Sequence, residues 1–325
     1  MPEARVSVVI VIHNSGLDVI RCVQSLPDAI SAPFETVVID NASTDGMLEM
    51  LTGLFPRTTG IRLESNIGFA RAVNMAMRQT SSPYVLILNP DTVAAPGAIE
   101  VLLDFAELQE DLGLAAPRLR YPDGRDQATA RSFPTAAAGI FGRRSPLTKR
   151  FPGNPWSRKF LSGLRSGDAA FRCDWVSGAC MLVPRSTITA TGGFDERYFL
   201  FWEDADWCHR MAQQGLAVWT VPDSVVHHAE GGSRRGWPSP VIRHFHRGAY
   251  LYWKTFEAPQ PWNPLRWMAA GALAGRAMTL IAAKHVRSLS ALAGRRSRPP
   301  LPAAAPAYST EVRSVLEPVR KDILA

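Results

Sequence analysis

Tyr84-Val-Leu-Ile-Leu-Asn-Pro-Asp91 is the stretch of this sequence that decides the fold, because an apolar run ends in a single carboxylate. The five residues from Tyr84 to Leu88 have the length and character of a buried strand, and a proline lies on each side of them. Asp91 then follows the carboxyl end of this strand, where open α/β sheets bind their ligands. Asn-Pro-Asp is also ordinary turn chemistry. The stretch therefore predicts a strand and leaves the role of Asp91 to its surroundings.

Strand and helix patterns alternate around this stretch. Strands that alternate with helices at such spacing form right-handed βαβ units. The predicted fold class is therefore α/β, with a mostly parallel central sheet flanked by helices. The other early strands are expected at Val6–Ile12, Thr36–Ile39 and about 61–64, and the helices at 17–26, at 47–54 with Ser43 or Thr44 as the N-cap, at 69–77 and from about Pro96.

Polar residues follow the predicted strands at the point where each strand ends. In a parallel sheet these ends share one edge, so residues distant in sequence are expected to line one cleft. Each residue alone is typical of a cap or a turn, but their common placement favours a ligand site. The seven residues are His13, Asn14, Asp40, Asn41, Asp45, Asn66 and Asp91.

The sequence lacks the usual glycine-rich motifs for phosphate. No Gly-x-Gly-x-x-Gly follows the first strand, and no Gly-x-x-x-x-Gly-Lys-Ser/Thr occurs anywhere. Hard divalent cations bind through one or two carboxylates together with substrate phosphates. A metal at Asp91 is therefore the leading candidate for holding a phosphate-bearing ligand.

Two further groups of ionisable residues lie in the second half of the chain. Glu203, Asp204 and Asp206 follow the aromatic stretch Phe199-Leu-Phe-Trp202. Desolvation and like charge in this setting can raise the pKa of a carboxylate toward that of a general base, although three acids also suit a helix N-terminus. Expected strands at 174–183, 217–222 and 224–228 lead to His227 and His228, which suit either metal binding or a structural role.

Composition narrows the classes of protein. Cys22, Cys173, Cys180 and Cys208 form no CxxC pair, so neither a zinc site nor a disulfide framework is indicated. The first residues run directly into a strand, which predicts a cytoplasmic chain without a signal peptide. The net charge is +7, and Arg118 to Arg172 carries twelve Lys/Arg against three acids. This loop-rich insertion, expected at about 120–172, indicates an anionic partner or a solvated basic loop.

A helical extension is predicted after the main domain. A helix from Pro240 to Phe256 mixes cations with aromatic rings, which suits a membrane interface or a plain packed helix. Met268–Ala283 is apolar but short of the roughly 20 residues that span a bilayer, and Arg276 interrupts it. An interfacial or packing helix is therefore expected. The predicted division is a main domain at 1–236, a helical region at 237–294, and a Pro/Ala-rich linker with a short tail at 295–325.

Taken together, these residues resemble the family 2 glycosyltransferases of the GT-A fold, and most closely their rhamnosyltransferase-like branch. The resemblance covers about residues 5–256, and His228-Ala-Glu-Gly-Gly-Ser233 is similar to the family's closing HxxGxS element. The four blocks that carry it are Val6–Asn14 with Asp40–Gly46, Ser65–Asn74, Leu88–Asp91, and Gly192–Glu196 with Phe201–Trp207.

The resemblance implies roles for individual residues. Asp204 would be the catalytic base of an inverting transfer, and Asp40 would hydrogen-bond the base of the donor. Asp91 matches the last carboxylate of the DXD motif, whose first position is Asn89 here. His228, with His227 as the fallback, would bind a metal, Mg²⁺ or Mn²⁺, or the diphosphate. The remaining donor-side residues are His13, Asn14, Asn41, Asp45, Asn66, Gly68, Phe69, Asn74 and Asn89, and the acceptor-side residues are Trp202, Glu203 and Asp206.

The implied function is the transfer of a sugar, with rhamnose from dTDP-rhamnose as the candidate, from a nucleotide-sugar donor to a cell-envelope glycan or a polyprenyl-diphosphate-linked acceptor. Such an enzyme is expected as a peripheral protein on the inner face of the cell membrane, with an oligomer left open. One alternative is a catalytically silent nucleotide- or glycan-binding module of the same fold. Nucleic-acid binding is a weaker alternative, because no recognised motif accompanies the basic charge.

Overall fold

The structure is a computed structural model that describes residues 3–127, 130–135, 150, 151, 155, 169–229 and 238–294, with side chains as far as Val286. Most of the insertion predicted at about 120–172 lies outside the described residues. So do the end of the HxxGxS element, the predicted boundary at 236 and the tail at 295–325. These predictions therefore stay predictions.

A nine-stranded sheet forms the centre of the described part of the chain, and its first half is parallel. In this half β1 lies between β2 and β4, and β3 extends β2 at the edge. Ile12 pairs with Asp40 and Ile10 with Leu88, so the carboxyl ends of three strands meet at one edge. The predicted α/β class is confirmed. The bounds are β1 (Val6–Ile12), β2 (Phe34–Asp40), β3 (Thr58–Arg62) and β4 (Tyr84–Leu88).

The second half of the sheet mixes strand directions. β4 pairs antiparallel with β8, β8 pairs antiparallel with β6, and β9 runs parallel to β6 and antiparallel to β5 and β7. The two strands predicted at 217–222 and 224–228 form one strand, because a register shift beside Pro117 keeps the pairing continuous. The remaining strands are β5 (Thr92–Ala94), β6 (Leu112–Arg120), β7 (Phe171–Cys173), β8 (Cys180–Pro184) and β9 (Ala217–His228).

Helices cover both faces of this sheet. The helices predicted at 47–54 and 69–77 match the observed ones to within one residue, whereas the helix predicted at 17–26 is divided in two and the apolar helix expected at 268–283 spans 264–294. The N-cap of the helix predicted at 47–54 is Gly46, at φ 71°, and neither Ser43 nor Thr44. A π-helical turn, Trp253–Glu257, ends the helix expected at 240–256. The helices are α1 (Asp18–Gln24), α2 (Leu26–Ala29), α3 (Met47–Leu54), α4 (Phe69–Arg78), α5 (Ala98–Glu107), α6 (Arg185–Thr191), α7 (Glu203–Gln213), α8 (Ser239–Tyr252) and α9 (Pro264–Gly294).

The alternation of side chains in β1 explains why both faces are covered. Successive strand residues point to opposite faces, and all seven residues of β1 are buried. Ile10 and Ile12 belong to the apolar cluster that includes α1 and α5, whereas Val9 and Val11 belong to the cluster that includes α4 and α7. A strand buried on both faces reads as a continuous apolar run in the sequence. The result is a three-layer arrangement that leaves the strand ends free to carry polar loops.

Within the described residues, no helix combines the length and the apolar character that crossing a bilayer requires.

Candidate active site

The loops after β1 and β2 are joined side by side at the carboxyl edge of the sheet. Thr44 donates its backbone N–H to the side-chain oxygen of Asn14 at 2.9 Å, and Asn14 holds a left-handed backbone at φ 52°. The Asp45 carboxylate accepts from the backbone N–H of Gly16 at 3.0 Å. Asn14 and Asp45 were predicted to contact a ligand, and here their side chains bind the neighbouring loop. These bonds hold the two loops together as one surface.

The side chain of Asp40 fixes the second loop, which follows β2. This side chain has no exposed surface, and its two oxygens accept from the Ser43 N–H and the Arg62 Nε, each at 2.8 Å. Desolvation by burial opposes ionisation, but the bonds from Ser43 and Arg62 outweigh it and lower the pKa of Asp40. In this structure the ionised Asp40 therefore organises the loop, and its contact with a donor base stays a prediction.

Asn41 joins the second loop to the third. Its side chain donates to the Gly68 carbonyl at 3.2 Å and accepts from the Ile67 N–H at 2.9 Å, while its own carbonyl lies 2.9 Å from Nδ1 of the exposed His13. Asn66 is exposed and accepts from the Gly68 N–H at 3.0 Å. Asn41 is thus a buried link between the loops, whereas His13 and Asn66 face solvent beside it.

Gly68 and Phe69 bring the third loop against the aromatic stretch that precedes α7. Phe69 donates its N–H to the Phe199 carbonyl at 2.7 Å. A Cβ on Gly68 would lie 2.7 Å from the same oxygen, and the backbone there has φ 91°. Only glycine fits this close approach without strain. The loop that the family resemblance assigns to the donor therefore touches the segment that leads to the carboxylates.

Two aromatic residues in left-handed conformation form the turn into α7. Phe201 and Trp202 have φ values of 71° and 75°, which bulky residues rarely adopt. Helix α8 covers this turn, because a Cβ on Gly248 would lie 2.9 Å from the Phe201 carbonyl. The Trp202 ring packs at 5.6 Å from Phe245 and from Tyr252. This strained turn directs the start of α7, with Glu203 and Asp204, toward the rim, and surrounding contacts hold it there.

Asp204 is partly buried and held by two backbone donors. Its oxygens accept from the Gly178 N–H at 3.0 Å and from the Ala205 N–H at 2.8 Å. Desolvation raises its pKa, and these two bonds together with the charge of Arg131 oppose the rise. A raised pKa is the property that its aromatic surroundings predict and that a general base needs.

A pair of backbone contacts links Asp204 to the strand that leads to Asp91. Ala179 follows Gly178, and its carbonyl accepts from the Asn89 N–H at 2.9 Å. Asn89 stands two residues before Asp91 in the sequence. These contacts follow one another around the carboxyl edge of the sheet. They run from His13 through Asn41 and Gly68 to Phe199. The chain continues from Phe199 to Asp204, and the contacts return through Gly178 to Asn89. The carboxylates at 91 and 204 border the same part of the sheet.

Asp91 and His228 lie against each other at the end of β9. His228 Nε2 is 3.3 Å from Asp91 Oδ1, and both side chains are about nine-tenths buried, at 9% and 11% exposure. β9 places His228 opposite Thr92. His227, the fallback, points to the other face of the strand because neighbouring residues alternate.

The hydrogen bonds of Gln127 define what His228 presents to Asp91. The amide nitrogen of Gln127 donates to the His228 carbonyl at 2.7 Å, so its oxygen, 3.0 Å from Nδ1, accepts the proton on Nδ1. When His228 carries its only ring proton on Nδ1, the lone pair of Nε2 faces Oδ1 of Asp91. Two acceptors at this distance require a proton or a cation between them.

The donor set therefore fits a divalent ion. The 3.3 Å separation is close to the about 3 Å expected between neighbouring ligands of an octahedral ion at about 2.1 Å. Gln127 accepts the proton of Nδ1 and so fixes the histidine tautomer, as the partner of a metal-bound histidine does. No group of three or more His, Cys, Asp or Glu that could hold a metal occurs among the described residues. Two protein ligands leave the other positions to substrate phosphate and water, as Mg²⁺ sites do.

Two predicted site residues have structural partners instead. Asp206 is 1% exposed, and its oxygens bind Arg210 Nε at 2.8 Å and the Tyr198 hydroxyl at 3.3 Å. Asn74 is buried and both accepts from and donates to the backbone of Phe194, at 3.0 and 2.8 Å. In this structure every oxygen of Asp206 and the amide of Asn74 bind the protein interior, and the acceptor-side role of Asp206 and the donor-side role of Asn74 stay predictions.

Sequence reasoning missed four residues of this site. Gln127 lies in the basic loop region without any motif, and Arg131, Arg62 and Gly178 act through contacts that only the fold creates. Gly178 acts through its backbone N–H, and a Cβ there would meet Asp204 only at 3.6 Å, so its residue type gives no signal of the contact.

A separate cavity lies away from this edge. It has a volume of about 230 Å³ and is lined by Phe133, Arg172, Asp174 and the start of β9, among others. It includes none of the predicted site residues, and it is smaller than the about 300–1,000 Å³ of typical ligand pockets.

Two sequence comparisons with known proteins indicate the same family. A family model described as Glycosyl transferase family 2 matches residues 7–176. The chain is 31% identical over 293 residues to the N-acetylglucosaminyl-diphospho-decaprenol L-rhamnosyltransferase of Mycobacterium tuberculosis, covering 86% of this chain and 94% of that protein.

Solved structures of GT-A glycosyltransferases share the fold. The mannosyltransferase PcManGT from Pyrobaculum calidifontis, in complex with GDP-Man and Mn²⁺, matches with a TM-score of 0.54 at 18% identity, over 99% of this chain and 81% of that one. GalNAc-T7 with UDP, GalNAc and Mn²⁺ matches with a TM-score of 0.56 at 18% identity, over 79% of this chain and 49% of that one. At these identities the likeness shows the fold alone.

Proposed function

Because the chain belongs to glycosyl transferase family 2, we propose that it moves a sugar from a nucleoside-diphosphate donor to a polyprenyl-diphosphate-linked acceptor, with inversion at the anomeric carbon. The observation that carries the proposal is the bridge from Asp204 through Gly178 and Ala179 to Asn89. In this proposal Asp91 holds the metal and Asp204 is the base, and the bridge supports the placement of both at one cleft.

The identity of the donor and acceptor rests on the relative. The Mycobacterium tuberculosis relative is the N-acetylglucosaminyl-diphospho-decaprenol L-rhamnosyltransferase, and the aligned region covers 94% of its length. Accordingly, dTDP-rhamnose is the proposed donor, and an N-acetylglucosaminyl-diphospho-polyprenol is the proposed acceptor. The acceptor is a lipid, so the enzyme works as a peripheral protein at the inner face of the membrane.

Asp91 and His228 would hold a divalent metal, Mg²⁺ or Mn²⁺, through Oδ1 and Nε2. When bound, this ion supplies Lewis-acid stabilisation of the negative charge on the departing diphosphate. The protein supplies the orientation: Gln127 holds the proton on Nδ1 of His228 and keeps Nε2 free to bind. Burial of both side chains strengthens their attraction for a cation.

Asp204 is the proposed base. It accepts the proton of the acceptor hydroxyl while that oxygen bonds to the anomeric carbon of the donor, and the carbon–oxygen bond to the diphosphate breaks in the same displacement. The products are the extended acceptor, the nucleoside diphosphate and a protonated Asp204. The N–H groups of Gly178 and Ala205 keep the carboxylate oriented, and its raised pKa increases its strength as a base.

Replacing Asp204 by Asn removes the base but keeps the shape of the side chain. We expect the rate of sugar transfer to fall by about 10²–10⁴-fold, as is typical for loss of a general base. The affinity for the nucleotide sugar, measured by the thermal shift that the bound donor produces, is expected to change little. Normal turnover of Asp204→Asn would contradict the assignment. If the wild-type chain binds the donor but transfers no sugar to any lipid-linked acceptor, the catalytically silent module is favoured.

Arg131 sets the pH range in which Asp204 is ionised. Its guanidinium opposes the rise in the pKa of Asp204, so Arg131→Gln is expected to raise that pKa further. The base acts only when ionised, and the acid limb of the kcat/KM profile therefore moves to higher pH. Arg172→Gln is a matched control: Arg172 stacks on Trp219 at 5.0 Å much as Arg131 stacks on Trp175 at 4.8 Å. Equal profiles for the two variants would contradict the role of Arg131.

Gln127→Leu tests the metal site without relying on activity. The variant loses the acceptor that fixes the His228 tautomer, and we expect the affinity for Mn²⁺, measured by isothermal titration calorimetry, to fall by about 10–100-fold. Gln213→Leu makes the same exchange at an exposed position at the end of α7 and is expected to bind Mn²⁺ like the wild type. The same affinity in both variants would contradict the role of Gln127 in orienting His228 toward a metal.

A further inference from the structure

The outward face of α9 is apolar, although it is exposed. Met268, Met278 and Val286 are 67%, 65% and 62% exposed, and Leu265 is 53% exposed. Met268 and Val286 lie on the side of the helix opposite Ala277, which is buried at 8% exposure, and Met278 and Leu265 lie on the two flanks of that side. A surface helix of a globular protein normally carries charged and polar residues on its outer side. This face therefore has the pattern of a surface that is covered by something else.

The charge of α9 is of one sign. From Ala258 to Gly294 the sequence contains Arg266, Arg276, Lys284 and Arg287 and no Asp or Glu. Arg276 is exposed beside the apolar face. This helix combines an apolar face with positive charges that no acid on the helix balances. Such a helix binds a surface whose outer layer is anionic and whose interior is apolar.

Two tryptophans mark the start of the helix. Trp262 is 80% exposed and Trp267 is 68% exposed, although tryptophan side chains are on average highly buried. Tryptophan is enriched at the level of lipid headgroups, where its ring is buried and its N–H stays hydrated. Trp267 precedes Met268 in the first turn of α9, and Trp262 lies two residues before the helix begins.

Other occupants of this face fit less well. A second copy of the chain would bring these cations against the same cations, with no acid on either helix to pair with them. The chain's own last residues, 295–325, carry six Lys/Arg against three Asp/Glu and would add positive charge. An anionic bilayer satisfies both features of the helix at once, because its headgroups balance the cations and its acyl region takes up the apolar side chains.

We propose that α9 lies in the plane of an anionic membrane surface, with Trp267, Met268 and Val286 in the headgroup and acyl boundary. The length of the helix, 31 residues, corresponds to about 46 Å along that surface. As an account of acceptor access, the proposal rests on the proposed function, in which the acceptor is a lipid. It adds the element that binds the membrane and the class of lipid that it selects.

The helix is one layer away from the proposed base. α9 packs on α8, and Gly248 of α8 contacts the Phe201–Trp202 turn that precedes Asp204. His244 of the same helix stacks on Phe199 at 4.2 Å. A membrane bound to α9 is therefore connected through α8 to the acceptor side of the cleft, where a lipid-linked diphosphate would arrive from the bilayer.

Vesicle co-sedimentation of the full chain tests this proposal. We expect binding to vesicles of equal parts phosphatidylcholine and phosphatidylglycerol, and much weaker binding to phosphatidylcholine alone. In the double variant Trp267→Glu, Met268→Glu the partition coefficient should fall by about tenfold or more, because two side chains can no longer enter the boundary. The matched control, Leu54→Glu with Leu108→Glu, changes two exposed apolar residues outside α9 and is expected to bind like the wild type.

The outcomes separate this proposal from the proposed function. Equal binding of the α9 variant and the wild type, or no preference for anionic vesicles, would overturn the membrane role of α9 even if sugar transfer is observed. A dimer that forms without lipid and dissociates in the α9 variant, measured by analytical ultracentrifugation, would also overturn it. Transfer to a water-soluble acceptor that lacks the lipid should be the same in the wild type and the variant, and vesicle binding is read without any turnover.

Discussion

The hydrogen bond from the Gly178 N–H to the Asp204 carboxylate is the interaction on which the proposed site depends. Asp204 belongs to the start of α7, whereas Gly178 lies just before β8, which pairs with β4. Through this bond the start of α7 is tied to a residue that precedes β8, beside the strand that leads to Asn89 and Asp91. The bond therefore sets the orientation of the Asp204 carboxylate relative to the end of β4.

The rest of the rim supports this bond through tight backbone contacts. Gly68 is in contact with Phe199, and Gly248 is in contact with Phe201, at distances that leave no room for a side chain. The Phe201–Trp202 turn holds two left-handed aromatic residues, a conformation that surrounding packing must stabilise. Strain of this kind is common where a side chain must be directed to a functional position. Here the residues that follow the turn are Glu203 and Asp204.

Sequence alone predicts the local elements well and the contacts between them poorly. β1 and β4 have the predicted bounds because each is a continuous apolar run between turn residues. β6 was missed and β9 was predicted as two strands, because their pairing with each other, across a register shift, is a property of the whole sheet. The family resemblance is confirmed, since it rests on several ordered blocks and not on any one motif.

The same limit applies to the site residues. Asp91 and His228 were predicted as metal ligands, and the sheet brings them to 3.3 Å from each other. Asp206 and Asn74 have the residue types of a polar site but bind the interior, and no local pattern distinguishes such an amide or acid from one that faces a ligand. Gln127 shows the opposite case: nothing in its neighbourhood of the sequence marks it, yet its two hydrogen bonds define the tautomer of His228.

A crystal structure of the chain with Mn²⁺ and a nucleoside diphosphate tests the central claim most directly. The account predicts Mn²⁺ bound to Asp91 Oδ1 and His228 Nε2, with the diphosphate on the metal and the Asp204 carboxylate facing the same cleft. A nucleotide bound elsewhere, for example in the cavity beside Phe133 and Arg172, or a metal that does not touch Asp91, would contradict it.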